Sequence, residues 1–288
     1  MNLGDFVAAR ALFEQCHGLD DPDHRAVYAE IAMADPHAQM LRFLALTLTC
    51  LGYVDQGRAR LNEALEDARR RGHAYTLALV LSYVAWIESA TRLPHEAQRQ
   101  ADEAVALSTE QSFPFLVAQG IIFRGWVLTA LGQAQEGLAL ITQGLSMYRA
   151  TGAVLLTPSM LTRVAEAYAR IGQPAEGLNC LAEAAQIIEA IDERMEEAEV
   201  YRVRGDLLNA TGDQAAAEQS YHQALVIAQR QSAKLFELCA ATSLARLWRE
   251  QDKHIEARDL LAPIYGWFTE GFDTPVLQDA KALLDELA

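Results

Sequence analysis

His17, Asp20, Asp21, Asp23 and His24 fall within one short stretch of the chain. Imidazole nitrogens and carboxylate oxygens are the ligands of zinc and calcium sites. No helix or known motif sets their spacing, and a solvated loop accounts for the same residues, so no metal is expected there. A second group is ordered by interval. Tyr83 and Trp86 recur forty residues on as Phe123 and Trp126, and the same steps lead to Arg163, Asp206 and Arg246, with Arg202 close by. As a ligand groove, the four aromatic rings would stack on an apolar or sugar surface while Arg163, Arg202, Asp206 and Arg246 hold polar groups. Aromatic anchors flanked by arginine are the usual content of binding hot spots. The alternative is that the rings pack between neighbouring helices and the charges only keep an inner face wet.

Catalytic signatures are missing from the chain. It contains no G-x-x-x-x-G-K-[ST] phosphate loop, no G-x-G-x-x-G, no H-E-x-x-H and no G-x-S-x-G. Carboxylate pairs such as Glu196-Glu197 and Asp20-Asp21 read as solvated surface or helix-start charge. No catalytic residue and no cofactor is implied. An enzyme would need a convergent nucleophile–base pair or metal cluster, for which the residues give no support.

Bulk properties agree. The chain has 288 residues, 51% of them hydrophobic, with 8% aromatic and a formal charge of −15. Abundant Ala, Leu, Glu, Gln and Arg favour helix. The acidity argues against nucleic acid and anionic membrane as partners, since both attract basic surface. Cys16, Cys50, Cys180 and Cys239 are widely spaced, which suits reduced and mostly buried thiols better than a disulfide framework. The amino terminus lacks a signal-peptide pattern, and the apolar runs 43–54 and 77–87 are too short to span a bilayer. A soluble, cytoplasmic protein is expected.

What must position the side chains is a repeat. Steps of forty residues through Gly177 reach Gly57, Ala97, Gly137, Ala217 and Ala257. Steps through Ala165 reach Ala45, Ala85, Gly125, Gly205 and Ala245. Every member of both columns is Gly or Ala. Leu61, Ala101, Ile141, Leu181, Tyr221 and Leu261 form an apolar column, and Leu41, Leu81, Ile121, Leu161, Tyr201 and Ala241 one that is nearly so. Antiparallel helices approach closely only where neither is bulky at the crossing. The first tiny column thus belongs to the first helix of a hairpin and the second to its partner. Gly52, Gly132, Gly172 and Gly212 mark the turn between them, where a helix ends in a left-handed conformation. Large–small–turn–small–large is the tetratricopeptide pattern, here on a longer period.

The expected fold class is all-α: a tetratricopeptide-like α-solenoid, a right-handed superhelix of helix hairpins, forming one domain over 1–288. Six hairpins occupy 36–273, with first helices lining a concave side. Residues 1–35 supply a partial repeat, in which GDFVAARALFEQC is a second helix followed by a loop and a short extra helix. Phe6, Leu12 and Phe13 there would present an uncovered apolar face, pointing to a homodimer through the N-terminal end or to a chain cut from something longer. At the other end, Thr274 and Pro275 start a capping helix over 274–288 with Leu277, Ala280, Leu284 and Leu287 as its stripe. YGWFTEGF (265–272) would anchor that helix on the last hairpin.

Several stretches carry a family resemblance: LGYVDQGRARLNEAL, FRGWVLTALGQAQEGL, AEAYARIGQPAEGL, YRVRGDLL and, longest, SLARLWREQDKHIEARDLLAPIYGWFTEGFDTPVLQDAKALLDEL. The chain resembles the carboxy-terminal tetratricopeptide-like region of bacterial signalling proteins that join a class III adenylyl cyclase domain to a P-loop ATPase. More distantly it is similar to the sensor solenoid of maltotriose-responsive transcription activators. The resemblance implies a noncatalytic sensor or interaction module that binds a peptide, protein segment or small effector and controls an attached output domain. A structural scaffold or dimerisation module without a small ligand is the alternative.

Overall fold

The computed structural model describes residues 1–19 and 32–288. Asp20, Asp21, Asp23, His24 and most of the segment expected to hold a short extra helix lie outside the described residues. Among the described residues there are fourteen helices and no strand: α1 (Phe6–Gly18), α2 (Pro36–Cys50), α3 (Val54–Arg71), α4 (Ala74–Ala90), α5 (Pro94–Glu110), α6 (Pro114–Ala130), α7 (Ala134–Ala150), α8 (Thr157–Arg170), α9 (Pro174–Ile191), α10 (Glu197–Ala210), α11 (Gln214–Arg230), α12 (Lys234–Glu250), α13 (His254–Tyr265) and α14 (Pro275–Glu286). They fall into two compact units. One comprises Met1, Phe6–Thr49 and Val54–Val154, the other Asn2–Asp5, Cys50–Tyr53 and Leu155–Ala288.

Both tiny columns are buried, one member on each helix of a hairpin. A Cβ built on Gly125 of α6 would lie 2.7 Å from the Gly137 carbonyl oxygen of α7, and one on Gly137 would lie 2.5 Å from the Gly125 oxygen. In α3, a Cβ on Gly57 would meet Thr49 Oγ1 at 2.5 Å and the Ala45 oxygen at 2.8 Å. In these two hairpins the helices thus touch backbone to backbone. Threonine sharpens the requirement. Thr49 and Thr129 turn their hydroxyls back onto the Ala45 and Gly125 carbonyls, both at 2.9 Å. That fills the space facing residues 57 and 137 and leaves room only for glycine.

The turns repeat on the same period. Gly52, Gly132, Gly172 and Gly212 have positive φ, as do Arg92 and Asp252 at the equivalent places in the other two hairpins. In the second unit, α8/α9, α10/α11 and α12/α13 are the hairpins. Their first helices α8, α10 and α12 lie side by side, and α14 joins α12 and α13 at the end. Thr274 caps α14 by accepting from Leu277 N, and its buried stripe is Val276, Leu277, Ala280, Leu283 and Leu287, with Leu283 where Leu284 was expected.

Three other expectations need correction. Phe6 is fully buried and Phe13 stacks on Phe43 at 5.9 Å, so of the supposedly uncovered trio only Leu12 is exposed, at 60%. Within YGWFTEGF, Phe268 is buried, whereas Trp267 turns to Tyr53 (edge to face, 5.5 Å) and beneath Lys234 (5.7 Å). All four cysteines are free, but only Cys50 and Cys239 are buried.

Backbone contact makes the glycine cost readable. Gly137→Ala is expected to destabilise by about 1–3 kcal/mol in urea unfolding, as overpacking against rigid atoms does. Gly177→Ala should cost clearly less, because its nearest obstacle is the movable Leu207 side chain at 3.0 Å. Equal costs would contradict the backbone-contact account.

Candidate functional site

In the first unit the aromatic series is divided by depth. Trp86 and Trp126 are 5% and 7% exposed, and Trp126 packs with Ala97 and Val127. Their faces serve the core, as period-matched aromatics in helix layers commonly do. Tyr83 and Phe123 are half-buried. Tyr83 leans on the Ala34, Ala78, Leu79 and Leu116 cluster and meets Phe43 edge to face at 5.9 Å. Sequence reasoning passed over Arg42, whose guanidinium lies 3.8 Å from the Phe43 ring centre and 4.1 Å from that of Tyr83. Burial lowers its pKa, partly offset by Tyr83. Its Nε donates to Gln39 Oε1, and its Nη1 has no hydrogen-bond partner among the described residues.

In the second unit the predicted polar residues converge. Arg202 of α10 is buried and reaches three carboxylates: Nε donates to both oxygens of Glu199 (3.0 and 2.8 Å), Nη1 to Asp206 Oδ2 (2.5 Å) and Nη2 to Glu166 Oε1 (3.4 Å). Arg163 of α8 donates to Glu166 Oε2 at 3.1 Å and pairs with Glu196 at 3.6 Å. Burial alone would lower both arginine pKa values. The surrounding glutamates, with Asp206 for Arg202, outweigh it and hold both above the ordinary value. Tyr221 of α11 donates to Asp206 Oδ1 at 2.8 Å, and burial with that carboxylate raises the phenol pKa. Arg246 stands apart, half exposed and paired with Asp279 at 3.3 Å.

These contacts change the reading of the site. Arg163 and Arg202 are consumed internally, so they do not present donors to a ligand. What faces outward is the other half of each pair: Glu166, with a quarter of its side chain exposed, and Asp206, with 41% exposed. They occupy the same position on adjacent first helices, Glu166 held by Arg163 and Arg202 and Asp206 by Arg202 and Tyr221. A carboxylate accepts about four hydrogen bonds, and both side chains are open to solvent, Asp206 the more so. Glu196 and Glu197 are buried, at 3% and 6%, so of the two readings of the pair, solvated surface or helix-start charge, the second holds: Glu196 is the N-cap of α10 and Glu197 lies in its first turn. Glu197 receives Arg194 Nη1 at 3.1 Å and Arg230 Nη2 at 3.0 Å. Among the buried charged residues of this unit, glutamates (193, 196, 197, 199 and 237) outnumber arginines (163 and 202). The run ERMEEAEVYR held that density in plain view, but exposure cannot be read from charge alone.

Glu193 does a different task. Both its oxygens accept from Leu156 N, at 2.8 and 2.9 Å, where Leu156 takes a left-handed conformation at the start of α8. Burial pushes its pKa up to about 7, the Leu156 bond only partly countering it.

The tetratricopeptide repeat family model matches residues 156–230, within the second unit. No curated protein matches the chain in sequence. Among solved structures, a Rap protein complexed with Competence and Sporulation Factor is 15% identical, with 99% of this chain and 86% of that chain covered and a TM-score of 0.62. NprR in complex with its cognate peptide NprX is 15% identical, over 98% and 82%, with a TM-score of 0.63. A signal transduction ATPase with a tetratricopeptide repeat sensor, PH0952 from Pyrococcus horikoshii, is 13% identical over 96% of this chain and 44% of that one, TM-score 0.52. At such identities the likeness is one of fold: an all-α, tetratricopeptide-like helical solenoid.

Two measurements check the electrostatics. Arg202→Leu should cost about 3–5 kcal/mol, since it strands buried carboxylates, while Arg246→Leu should cost less than about 1 kcal/mol. For Glu193 the folded state holds its proton from about pH 4.5 to about 7, while the unfolded chain releases it. Stability from this group therefore falls as pH rises through that window, by on the order of 3 kcal/mol in all. The melting temperature of Glu193→Gln should fall less between those pH values than that of the parent chain; parallel curves would refute the assignment.

Proposed function

We propose that the chain is a noncatalytic tetratricopeptide-like interaction module that binds a peptide or protein segment on the first-helix face of its second unit, and that the segment is cationic. The observation that carries this is the outward pair Glu166 and Asp206, each pinned by an arginine spent beneath it. Carboxylates fixed before binding lose little freedom when a donor arrives. Lysine, arginine or a free amino terminus supplies donors of the right sign. The charge of −15 adds attraction at a distance.

The fold match supports a peptide as the ligand class: NprR holds its cognate peptide NprX in the matched structure. A sensor in a larger signalling protein is the fuller reading. It is supported by the resemblance to cyclase and ATPase proteins and by the fold shared with the sensor of a signal transduction ATPase. No helix among the described residues is long and apolar enough to cross a membrane. Tyr83 and Phe123 on the first unit are half-buried and keep part of their rings accessible, and in this reading they are secondary contacts there.

The test uses fluorescein-labelled octapeptide pools, one rich in Lys and Arg and one in Asp and Glu, followed by anisotropy. The basic pool should bind, weaken as salt rises, and lose affinity about tenfold or more with Glu166→Gln/Asp206→Asn. Equal binding of the acidic pool, or an unchanged affinity in a folded double variant, would sink the reading.

A further inference from the structure

We infer that His17, His37 and Glu63 form a binding site for one divalent transition-metal ion of the zinc type. The three come from separate helices of the first unit, α1, α2 and α3, and one ligand atom from each lies within 4.8 Å of the others. The two imidazoles lie side by side, ring centres 5.8 Å apart and inclined by 29°. His37 Nε2 is 4.0 Å from Glu63 Oε1, too long for a hydrogen bond. Four-coordinate zinc holds nitrogen and oxygen ligands at about 2.0–2.2 Å, so ligand atoms sit roughly 3.4 Å from one another. Binding would draw the three atoms together by roughly 1 Å.

Each ligand is set up by its surroundings. The backbone N of His37 donates to Asp35 Oδ1 at 2.8 Å, and Asp35 N donates to Thr76 Oγ1 at 2.9 Å, which fixes the start of α2. Arg60 donates to Glu63 Oε2 at 2.9 Å, which spends its charge on that oxygen while Oε1 faces His37. Orientation of a ligand by a partner of this kind is usual in metal sites. His17 Nδ1 is buried with no hydrogen-bond partner among the described residues, a costly state for a ring nitrogen that metal coordination would relieve. His17 also lines a cavity of about 150 Å³ with Glu14, Leu44, Leu48, Gln56, Ala59 and Arg60. That space beside His17 is large enough for water. Two neutral imidazoles and one carboxylate suit zinc-type ions over magnesium or calcium, which prefer all-oxygen sets.

In sequence His17 belongs to the acidic/His cluster whose other members lie outside the described residues. His37 and Glu63 stand twenty and forty-six residues away, and only the packing of three helices unites them.

The full chain, freed of metal with chelator, would be titrated with Co²⁺ by visible absorption and with Zn²⁺ by calorimetry near pH 7.5. One ion per chain is expected, with the intense absorption of four-coordinate cobalt. His17→Gln and Glu63→Gln, both at half-exposed or exposed positions, should each weaken binding at least about tenfold, while His222→Gln in the second unit leaves it unchanged. His37→Gln is read only if its circular dichroism matches the parent. Absence of binding, or full affinity in folded His17→Gln and Glu63→Gln, overturns the proposal.

Discussion

Where α6 meets α7, the Gly125 and Gly137 backbones come so close that neither position has space for a methyl group. That contact, matched between α2 and α3 and relaxed to alanine in other hairpins, sets the distance between paired helices and so the angle at which their outer faces look away. It is enforced from both sides. Thr49 and Thr129 fill the crossing from the first helix, and glycine yields from the second. Dispersion between close-packed backbones is weak per atom pair but cumulative, and any gap forfeits it quickly. The apolar columns on either side, such as Leu61, Ile141, Leu181 and Leu261, are buried because this spacing holds them against the neighbouring helix.

The charge network of the second unit depends on the same spacing. α8 and α10 lie near enough for Arg202 on one to bond Glu166 on the other. Two buried guanidinium groups among more numerous carboxylates would be a poor bargain if judged by stability alone, since desolvation offsets most of the attraction. Their effect is geometric. They hold Glu166 and Asp206 in one orientation, as Glu199, Tyr221 and Arg163 in turn hold them. A surface built this way meets a ligand already arranged.

The fold was legible because packing wrote it at a fixed interval. Gly57 through Ala257 and Ala45 through Ala245 fall where the repeat places them, and the turns follow. Even Arg92 and Asp252, which lack glycine's freedom, adopt the turn conformation the period demands. The site was less legible. Arg163, Arg202, Asp206 and Arg246 were identifiable as polar residues of the first helices, but not which of them face inward. Arginine and glutamate one turn apart look the same in sequence whether they neutralise each other or await a ligand. Trp86 and Trp126 posed the same ambiguity, and their depth was decided by neighbours such as Ala97 that are small enough to admit a large ring. Arg42, His37 and Glu63 drew no notice, since what distinguishes each is a partner far off in the chain.

The twelve-residue separation between facing tiny positions also governs how such a chain can change over generations. One residue gained or lost inside a helix rotates everything beyond it by about 100°, carrying a bulky side chain into a gap that admits none. Duplication or deletion of a whole forty-residue module leaves each junction as it was. The lineage is thus expected to grow or shrink by complete hairpins, with single-residue length changes confined to the turns.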